Sequence, residues 1–393
     1  MPPDLTNTAN KTGAFGSIEY KDADTAMTVV QNNGEGSFLN AFCECLKWIH
    51  CTSYGIWMVV LSWLQVVIKQ SCGYNDKEVY TFTQLMPELP EVETVVSELH
   101  KKLKGKTISL VEVRKPKLIS VGPKTVSNIR KVSNGKVGIF VSSLQDQKIL
   151  SVKRRAKLLM FDLSGPLSML VHLKMTGQFI YESKALRKKT GGKYRILNRP
   201  TAPLVQLPCK FTHVIFHFTD ESTLYFNDMR QFGYLKIVRD DEIDQVRELK
   251  EFGPEPFSKE FTLSLFLTAV RKRGKSPIKL LLMDPKVVAG IGNIYSDEIL
   301  FHAGIRPTRM VRSLKDGDIK AIYNHIRPVL KKGIEAKGSS VGDFVRTDGT
   351  WGQMGKYHFV YSRKGEDCKR CGTIIESTKL GGRTASFCPH CQV

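Results

Sequence analysis

One short run of this chain combines a cyclic amine with a carboxylate. From Met86 the sequence reads Met-Pro-Glu-Leu-Pro-Glu-Val-Glu-Thr. A free N-terminal amine has a reference pKa of about 7.7–8.0, so part of it is unprotonated and nucleophilic near neutral pH. At a chain start, the secondary amine of Pro87 would lie beside Glu88, whose carboxylate can carry protons. In the printed sequence 85 residues precede Met86, so the nitrogen of Pro87 is an amide nitrogen and is not nucleophilic.

Four cysteines near the C-terminus have the spacing of a metal site. They form two Cys-x-x-Cys pairs separated by sixteen residues: Cys368 with Cys371, and Cys388 with Cys391. Two such pairs can bring four thiolates to one tetrahedral zinc ion, so we predict one structural Zn²⁺. We expect His390 to lie on the surface rather than among the ligands. Between the pairs, the turn from Gly381 to Thr384 presents Arg383 either to a phosphate or to solvent.

A glycine-containing turn between two predicted helices forms a third pattern. A helix ends at Asp284-Pro285, and Gly290-Ile291-Gly292 leads into a second helix that begins at Asn293. Glycines let the backbone approach a ligand, and a helix N-terminus offers free N–H groups to an anion. Alone, this pattern is as often a structural turn as a phosphate site. Together with the charge of the region, it favours a phosphate site.

The charge of the chain is concentrated after residue 86. The chain has 59 Lys and Arg against 38 Asp and Glu, a formal net charge of +21. Residues 1–86 contain five Lys, no Arg and eight acids, which leaves a net charge of +24 on residues 87–393. Such a surplus on a folded region is typical of nucleic-acid binding, although a basic soluble protein is the alternative.

The elements that must hold these residues begin with a predicted helix. Apolar residues recur at helical spacing from Val92 to Leu103, Pro90 suits the first turn, and Gly105 suits the end. Alternating runs then predict a mostly antiparallel β-sandwich: 107–113, 137–143, 157–163, 167–173, 178–181, 213–218, 223–227 and 233–238. Two basic stretches, 115–136 and 184–210, are predicted to be surface loops.

The pattern becomes helical after the linker Gly253-Pro254-Glu255-Pro256. Four helices are predicted: 261–273, 277–283, 293–303 and 314–336. Gly- and Ser-rich residues 338–356 indicate a mobile loop, and the paired cysteines follow. The predicted fold class is therefore α+β. Its predicted domains are an antiparallel β-sandwich with flanking helices at 86–250, a helical domain that ends in the Gly- and Ser-rich loop at 251–356, and a zinc-ribbon finger at 357–393.

The first 85 residues differ in character from the rest. Residues 1–37 are polar and are predicted to be disordered. Residues 54–68 are the most hydrophobic run, but they are shorter than the ~20 residues that span a bilayer. We interpret residues 1–85 as an extension that is disordered or precedes the true start, and we expect no stable membrane partner.

From Met86 onward the chain resembles a bacterial-type formamidopyrimidine-DNA glycosylase. The resemblance covers nearly all of residues 86–393 and rests on separate motifs: Met86–Thr94, Lys157 after Lys153-Arg154-Arg155, His172–Gly177, Asn227–Gly233, the helix–two-turn–helix, and the cysteine pairs ending at Gln392. This family implies a bifunctional enzyme that removes oxidised purines, such as 8-oxoguanine and formamidopyrimidines, from double-stranded DNA. It then nicks the abasic site by β,δ-elimination.

The resemblance also implies roles for individual residues. Pro87 would be the nucleophile that forms a Schiff base, and Glu88 the proton carrier beside it. Lys157 would assist phosphate positioning and elimination, and Arg383 would bind the phosphate. The positions that match DNA contacts are His213, Arg230, Lys275 and Asn293. Met175, Arg230 and Phe232 match the residues that fill the gap left by an extruded nucleotide, although strand core is the ordinary interpretation of Met175 and Phe232.

Two departures from the family pattern affect these expectations. The stretch between Pro87 and Lys157 is longer than in the family pattern, because it contains the basic insertion at 115–136. The loop at 338–356, which covers the flipped base in the family, is variable, so the resemblance implies the enzyme class rather than the order of lesion preference.

Three alternatives remain open from the sequence. An endonuclease VIII-like glycosylase would act on oxidised pyrimidines, but Leu89 and the set of Met175, Arg230 and Phe232 favour purine lesions. A protein that retains residues 1–85 would bind damaged DNA without catalysis. A membrane-tethered repair factor would use residues 54–68 as its anchor. For the favoured enzyme we expect a monomer that, in a bacterium, is cytoplasmic and associated with the nucleoid.

Overall fold

The computed structural model describes residues 86–124, 134–196, 203–340 and 344–393. These residues belong to one compact unit of the chain. The predictions for residues 1–37 and 54–68 lie outside them, as do parts of the three predicted loops. Across the described ranges, no helix has both the length and the apolar character needed to cross a membrane.

The described residues form a mixed α+β structure. Its helices are α1 Leu89–Leu103, α2 Asn134–Leu144, α3 Lys184–Thr190, α4 Arg247–Glu251, α5 Leu263–Arg271, α6 Ile278–Leu282, α7 Asn293–Ala303 and α8 Asp316–Glu335. Its strands are β1 Ile108–Val113, β2 Ile119–Val121, β3 Ile149–Arg155, β4 Leu158–Leu163, β5 Leu167–His172, β6 Gly177–Glu182, β7 Lys193–Tyr194, β8 Val205–Gln206, β9 Thr212–Phe218, β10 Thr223–Asp228, β11 Tyr234–Arg239, β12 Glu376–Leu380 and β13 Arg383–Phe387.

Two sheets form the predicted sandwich. One sheet has the strand order β1-β9-β10-β6, and the other has the order β2-β11-β5-β4-β3. Neighbouring strands are antiparallel except β2 and β11, which are parallel. Phe161 of one sheet meets Phe179 of the other edge to face, with ring centroids 5.9 Å apart. The apolar side chains between the sheets make one core, which α1 and α2 also enter.

Helix α1 connects this core to a second one. Its residues from Val92 to Leu103 bury their apolar face in the sandwich core, as the helical spacing predicts. Its first residue, Leu89, instead packs among the apolar residues of the helical region, with Ile291 and Ile294. The start of α1, including the preceding Glu88, is therefore held where the two cores meet.

The helical region follows the predicted pattern closely. Helix α7 begins at Asn293 and ends at Ala303, as predicted, and the other three helices lie within the predicted ranges. The C-terminal module packs on α7, where Phe301 joins Val360, Ile375 and Cys388 in a small core.

Several local predictions for the sandwich were wrong. Residues 137–143 lie in α2 rather than in a strand, because Phe140 and Leu144 of the helix pack into the core and override the strand preference of Val and Ile. Strand β3 was missed, because charged Lys153, Arg154 and Arg155 hide its alternation.

The predicted loops also contain regular structure. The stretch 184–210 contains α3 and the β7–β8 ladder, and the stretch 115–136 contains β2 and the start of α2. In the stretch 338–356, the segment after residue 343 lies against α1, where Arg346 pairs with Glu98 at 2.7 Å.

Candidate active site

A buried carboxylate lies at the N-terminus of α7. The N–H of Ile294 donates to Oε1 of Glu88 at 2.7 Å, and the N–H of Tyr295 donates to Oε2 at 3.3 Å. The positive end of the helix dipole and these free N–H groups stabilise an anion at this point. The backbone groups that the sequence pattern assigned to a phosphate therefore bind a carboxylate of the protein itself.

The two glycines of the turn allow this contact. A Cβ on Gly292 would lie 2.4 Å from Cδ of Glu88, and a Cβ on Gly290 would lie 2.7 Å from Cβ of Leu89. Gly290 also has a φ of +91°, a backbone conformation that residues with a side chain rarely adopt. Its carbonyl accepts the N–H of Leu89 at 3.0 Å. The glycines were predicted to make room for a ligand, and they make room for the start of α1.

Glu91 is a second buried carboxylate, one turn into α1. Its Oε2 accepts the N–H of Glu88 at 3.0 Å, and its Oε1 accepts the Tyr295 hydroxyl and the Ser339 N–H, both at 2.7 Å. Burial and the neighbouring charge of Glu88 raise the pKa of Glu91 to about 7. Glu91 thus links the candidate proton carrier to α7 and to the segment after α8.

Lys157 lies at a tight hairpin turn, near enough to these two carboxylates for their charges to act on its pKa. The turn joins β3 to β4, and Ala156 takes a φ of +54° directly before Lys157. Burial lowers the pKa of the Lys157 ammonium, whereas the nearby charges of Glu88 and Glu91 act against this shift. Burial likewise raises the pKa of Glu88, against the effects of Lys157 and of the α7 N–H groups. The structure therefore brings Lys157 and Glu88 together, directly beside the buried Pro87.

The finger hairpin brings Arg383 to the same place. Arg383 is exposed after the β12–β13 turn, and its charge contributes to the lowered pKa of Lys157. Lys279 anchors this hairpin by donating to Asp297 of α7 at 2.7 Å and to the Thr384 carbonyl at 2.8 Å. Asp297 also accepts the Ser386 N–H at 3.0 Å. Four elements that are distant in sequence therefore converge at one site.

Two neighbouring loops carry the three residues predicted to fill a gap in DNA: Met175 lies between β5 and β6, and Arg230 and Phe232 lie between β10 and β11. Asp228 is fully buried and accepts the N–H groups of Arg230 and Gly233 at 3.1 and 2.7 Å. The guanidinium of Arg230 lies 4.8 Å from the ring centroid of Phe232, which is 43% exposed. Met175 is half-buried. Phe232 is thus an exposed aromatic ring on an ordered loop, not a part of the strand core.

The other predicted DNA-contacting residues have different environments. Lys275 is exposed between α5 and α6, and Asn293 is half-buried at the first position of α7. His213 is almost fully buried, and its Nε2 bonds the Asp228 carbonyl at 2.7 Å. Burial lowers the pKa of the His213 imidazole. His213 therefore contacts the backbone of the loop that carries Arg230 and Phe232.

The four predicted metal ligands form one cluster. The sulfur atoms of Cys368, Cys371, Cys388 and Cys391 all lie within 4.8 Å of one another. A tetrahedral zinc ion with Zn–S bonds of about 2.3 Å needs sulfur atoms about 3.8 Å apart, so this cluster fits zinc. His390 is exposed and outside the cluster, as predicted.

Family models match three parts of the chain. The N-terminal domain of formamidopyrimidine-DNA glycosylase matches residues 86–235, and the H2TH domain of the same enzyme matches residues 252–345. A zinc finger found in FPG and IleRS matches residues 365–393. The chain belongs to the formamidopyrimidine-DNA glycosylase family.

Individual members of the formamidopyrimidine-DNA glycosylase family agree with this assignment. The enzyme of Pelotomaculum thermopropionicum is 38% identical over 307 residues, which cover 78% of this chain and 99% of the relative. Among solved structures, the complex of Lactococcus lactis Fpg with DNA containing an abasic site matches with 31% identity and a TM-score of 0.64. It covers 78% of this chain and 99% of its own. A complex of MutM with DNA containing carbocyclic 8-oxo-G has 31% identity, a TM-score of 0.63 and the same coverage.

In this member of the formamidopyrimidine-DNA glycosylase family, sequence reasoning missed the residues that support the site. Neither Glu91 nor Lys279 was assigned a role in the site from the sequence. Glu298 of α7 accepts three N–H groups, from Phe359, Val360 and Tyr361, at 2.8 to 3.0 Å. The polar helix start at 296–298 was visible in the sequence, but its partners lie tens of residues away and leave no local signal.

Proposed function

We propose that this chain is a DNA glycosylase that removes oxidised purines from duplex DNA and cleaves the resulting abasic site. The main support is the convergence of Glu88, Lys157 and Arg383 beside Pro87. The relatives add support, since the L. lactis enzyme binds abasic DNA and MutM binds DNA containing an 8-oxo-G analogue. Removal of oxidised purines, such as 8-oxoguanine and formamidopyrimidines, is the activity that follows.

The chemistry starts at the nitrogen of Pro87. A free Pro87 amine attacks C1′ of the damaged nucleotide, the glycosidic bond breaks, and the base leaves with a proton. The C1′–O4′ bond of the sugar then opens, and O4′ takes up the proton that the Pro87 nitrogen loses. Because the amine is secondary, the product at C1′ is an iminium ion. Loss of a proton from C2′ then expels the 3′ phosphate, and a second elimination expels the 5′ phosphate. Water finally releases the sugar fragment from Pro87.

Three side chains serve these steps. Glu88 transfers protons, and its raised pKa keeps part of it protonated closer to neutral pH than an ordinary glutamic acid. Lys157 and Arg383 bind the phosphates next to the damaged nucleotide and stabilise their charge as they leave. The backbone N–H groups of α7 hold Glu88 in place rather than touching substrate.

The base must leave the duplex to reach this site. We propose that Met175, Arg230 and Phe232 enter the gap, where they supply flexible volume, a cationic donor and a stacking face. Lys275, Asn293 and His213 contribute to the DNA-facing side, with His213 acting partly by supporting the Asp228 loop. Residues 86–250 then carry catalysis, 251–356 bind the duplex, and the finger at 357–393 delivers Arg383.

A comparison of lesions tests this function. A chain beginning at Pro87 is incubated with matched duplexes that contain 8-oxoguanine, an oxidised pyrimidine or no lesion. We expect strand cleavage with phosphate at both ends of the gap on the 8-oxoguanine duplex. Faster cleavage of the pyrimidine duplex would instead support the endonuclease VIII-like alternative.

One observation favours a second candidate function. In the printed sequence the nitrogen of Pro87 is acylated by Met86, so a chain that keeps residues 1–85 would bind damaged DNA and form no covalent intermediate. Mass spectrometry of the protein from its native source distinguishes the two functions by the mass of the mature N-terminus. In a bacterial cell, we propose that the enzyme acts as a monomer in the cytoplasm, on the nucleoid.

A further inference from the structure

The linker between the sandwich and the helices carries a glutamate that contacts the Lys157 hairpin. Glu255 accepts the backbone N–H of Ala156, the residue directly before Lys157, on its Oε1. The same oxygen accepts a guanidinium N–H of Arg155 at 3.1 Å, and Oε2 lies 2.8 Å from Nη1 of Arg154. Because Ala156 holds a left-handed φ of +54°, this contact fixes the turn from which Lys157 projects.

The linker is itself fixed on its other side. Arg155 donates to the carbonyls of Phe252 and Gly253 at 3.1 and 2.8 Å. The Gly253 N–H donates to the Pro285 carbonyl at 2.8 Å, and the Ala289 N–H donates to the Pro254 carbonyl at 3.0 Å. The linker therefore lies between the Lys157 hairpin and the turn that leads into α7, which holds Glu88.

Arg154 extends these contacts to α1. Its Nε donates to Glu93 at 2.7 Å, and its Nη1 donates to the Ala156 carbonyl at 2.9 Å. The Arg154 side chain is only 9% exposed and lies between Glu93 and Glu255. Loss of Glu255 would thus leave a nearly buried arginine with one carboxylate fewer, next to the turn before Lys157.

We propose that Glu255 is a positioning residue that sets the place of Lys157 relative to Glu88. This inference rests on the proposed role of Lys157 in phosphate binding and elimination. A displacement of about 1 Å at a reacting group can cost on the order of a hundredfold in rate. Glu255 touches neither the DNA nor the reacting atoms, and it acts through the hairpin turn.

A double-mutant cycle tests this role. In chains beginning at Pro87, single-turnover cleavage of a duplex with a preformed abasic site is compared for wild type, Glu255→Ala, Lys157→Ala and the double variant. We expect Glu255→Ala to be at least about tenfold slower, and the double variant to match Lys157→Ala within about twofold. Affinity for a duplex with a tetrahydrofuran site should change by less than about threefold.

Controls separate positioning from general stability. Glu251→Ala removes a partly exposed carboxylate four residues earlier, which pairs with Arg247 at 3.0 Å and with Lys286 at 3.6 Å but does not contact the Lys157 hairpin, and it should cleave at the wild-type rate. Glu255→Gln keeps the shape of the side chain and loses its charge. If the alanine variant does not fold, Glu255→Gln is used in the same cycle. Its cleavage should be several-fold slower than that of wild type, and combining it with Lys157→Ala should slow cleavage no further than Lys157→Ala alone.

Two results would overturn the proposal. Rates of Glu255→Ala and Glu255→Gln equal to wild type, or effects that multiply with Lys157→Ala, would mean that Glu255 does not act through Lys157. Inactivity of the wild-type chain beginning at Pro87 would refute the proposed function itself, and the positioning role would fall with it.

Discussion

Two glutamates one turn apart have different chemical surroundings. Glu88 accepts N–H groups of α7 and lies near Lys157. Glu91 accepts hydrogen bonds from the Glu88 N–H, the Tyr295 hydroxyl and the Ser339 N–H. The sequence predicted the candidate acid, because a carboxylate follows Pro87. It could not predict the role of Glu91, because Ser339 lies 248 residues away in the chain.

The pH dependence of stability tests the environment of Glu91. Its folded pKa of about 7 exceeds the ordinary value of 4.5, so the protonated form favours folding. This contribution is complete below about pH 4.5 and is lost as the pH rises through about 7, at a cost of up to ~3 kcal/mol. In urea unfolding, wild type should lose more stability across this window than Glu91→Gln. Glu335→Gln, at the exposed end of α8, is the control, and parallel curves for wild type and Glu91→Gln would contradict the prediction.

Salt dependence tests the DNA-facing cations. Arg230→Ala and Lys275→Ala should each weaken duplex binding and reduce the slope of log affinity against log salt by about 0.9 per lost phosphate contact. The measurement is a titration with a tetrahydrofuran duplex at several salt concentrations. Lys320→Ala, which removes an exposed lysine of α8, should leave the slope unchanged. An unchanged slope for Lys275→Ala would remove it from the interface.

At the scale of elements, the site depends on how closely α1 approaches the start of α7. Both bounds of α7 were predictable, since Gly292 precedes the helix and Gly304, with a φ of +73°, ends it. Helix α2 was not predictable, because its Val and Ile residues favour a strand. The helix is stabilised by the packing of Phe140 and Leu144 into the core, which the local sequence does not show. What the α7 N-terminus binds was also hidden, since its partner, Glu88, comes more than 200 residues earlier.

Substitution of Gly292 tests this approach. In Gly292→Ala the new methyl group would lie 2.4 Å from Cδ of Glu88, so either the Glu88 carboxyl leaves the α7 N–H groups or α1 and α7 separate. We expect a loss of about 1–3 kcal/mol in the free energy of unfolding and at least about tenfold in cleavage rate. Gly317→Ala places a methyl group in open space in α8 and should retain both stability and rate. Wild-type cleavage by Gly292→Ala would show that the contact is not needed.

At the scale of the whole molecule, one site draws on the sandwich, the helices and the finger. The zinc cluster was predictable because its four ligands are close in sequence. The convergence of Glu88, Lys157 and Arg383 was not predictable from spacing, because long-range packing brings them together. Only the family resemblance placed these residues in one site.

The central claim is that Pro87 is the nucleophile once its nitrogen is free. The most direct measurement is borohydride trapping on an 8-oxoguanine duplex with two chains, one beginning at Pro87 and one retaining residues 1–85. Borohydride reduces an iminium to a stable protein–DNA adduct, so the chain beginning at Pro87 should be trapped covalently. The longer chain, with its Pro87 amide intact, should bind the duplex and give no adduct. An adduct of equal yield from the intact longer chain, or none from the chain beginning at Pro87, would contradict the account.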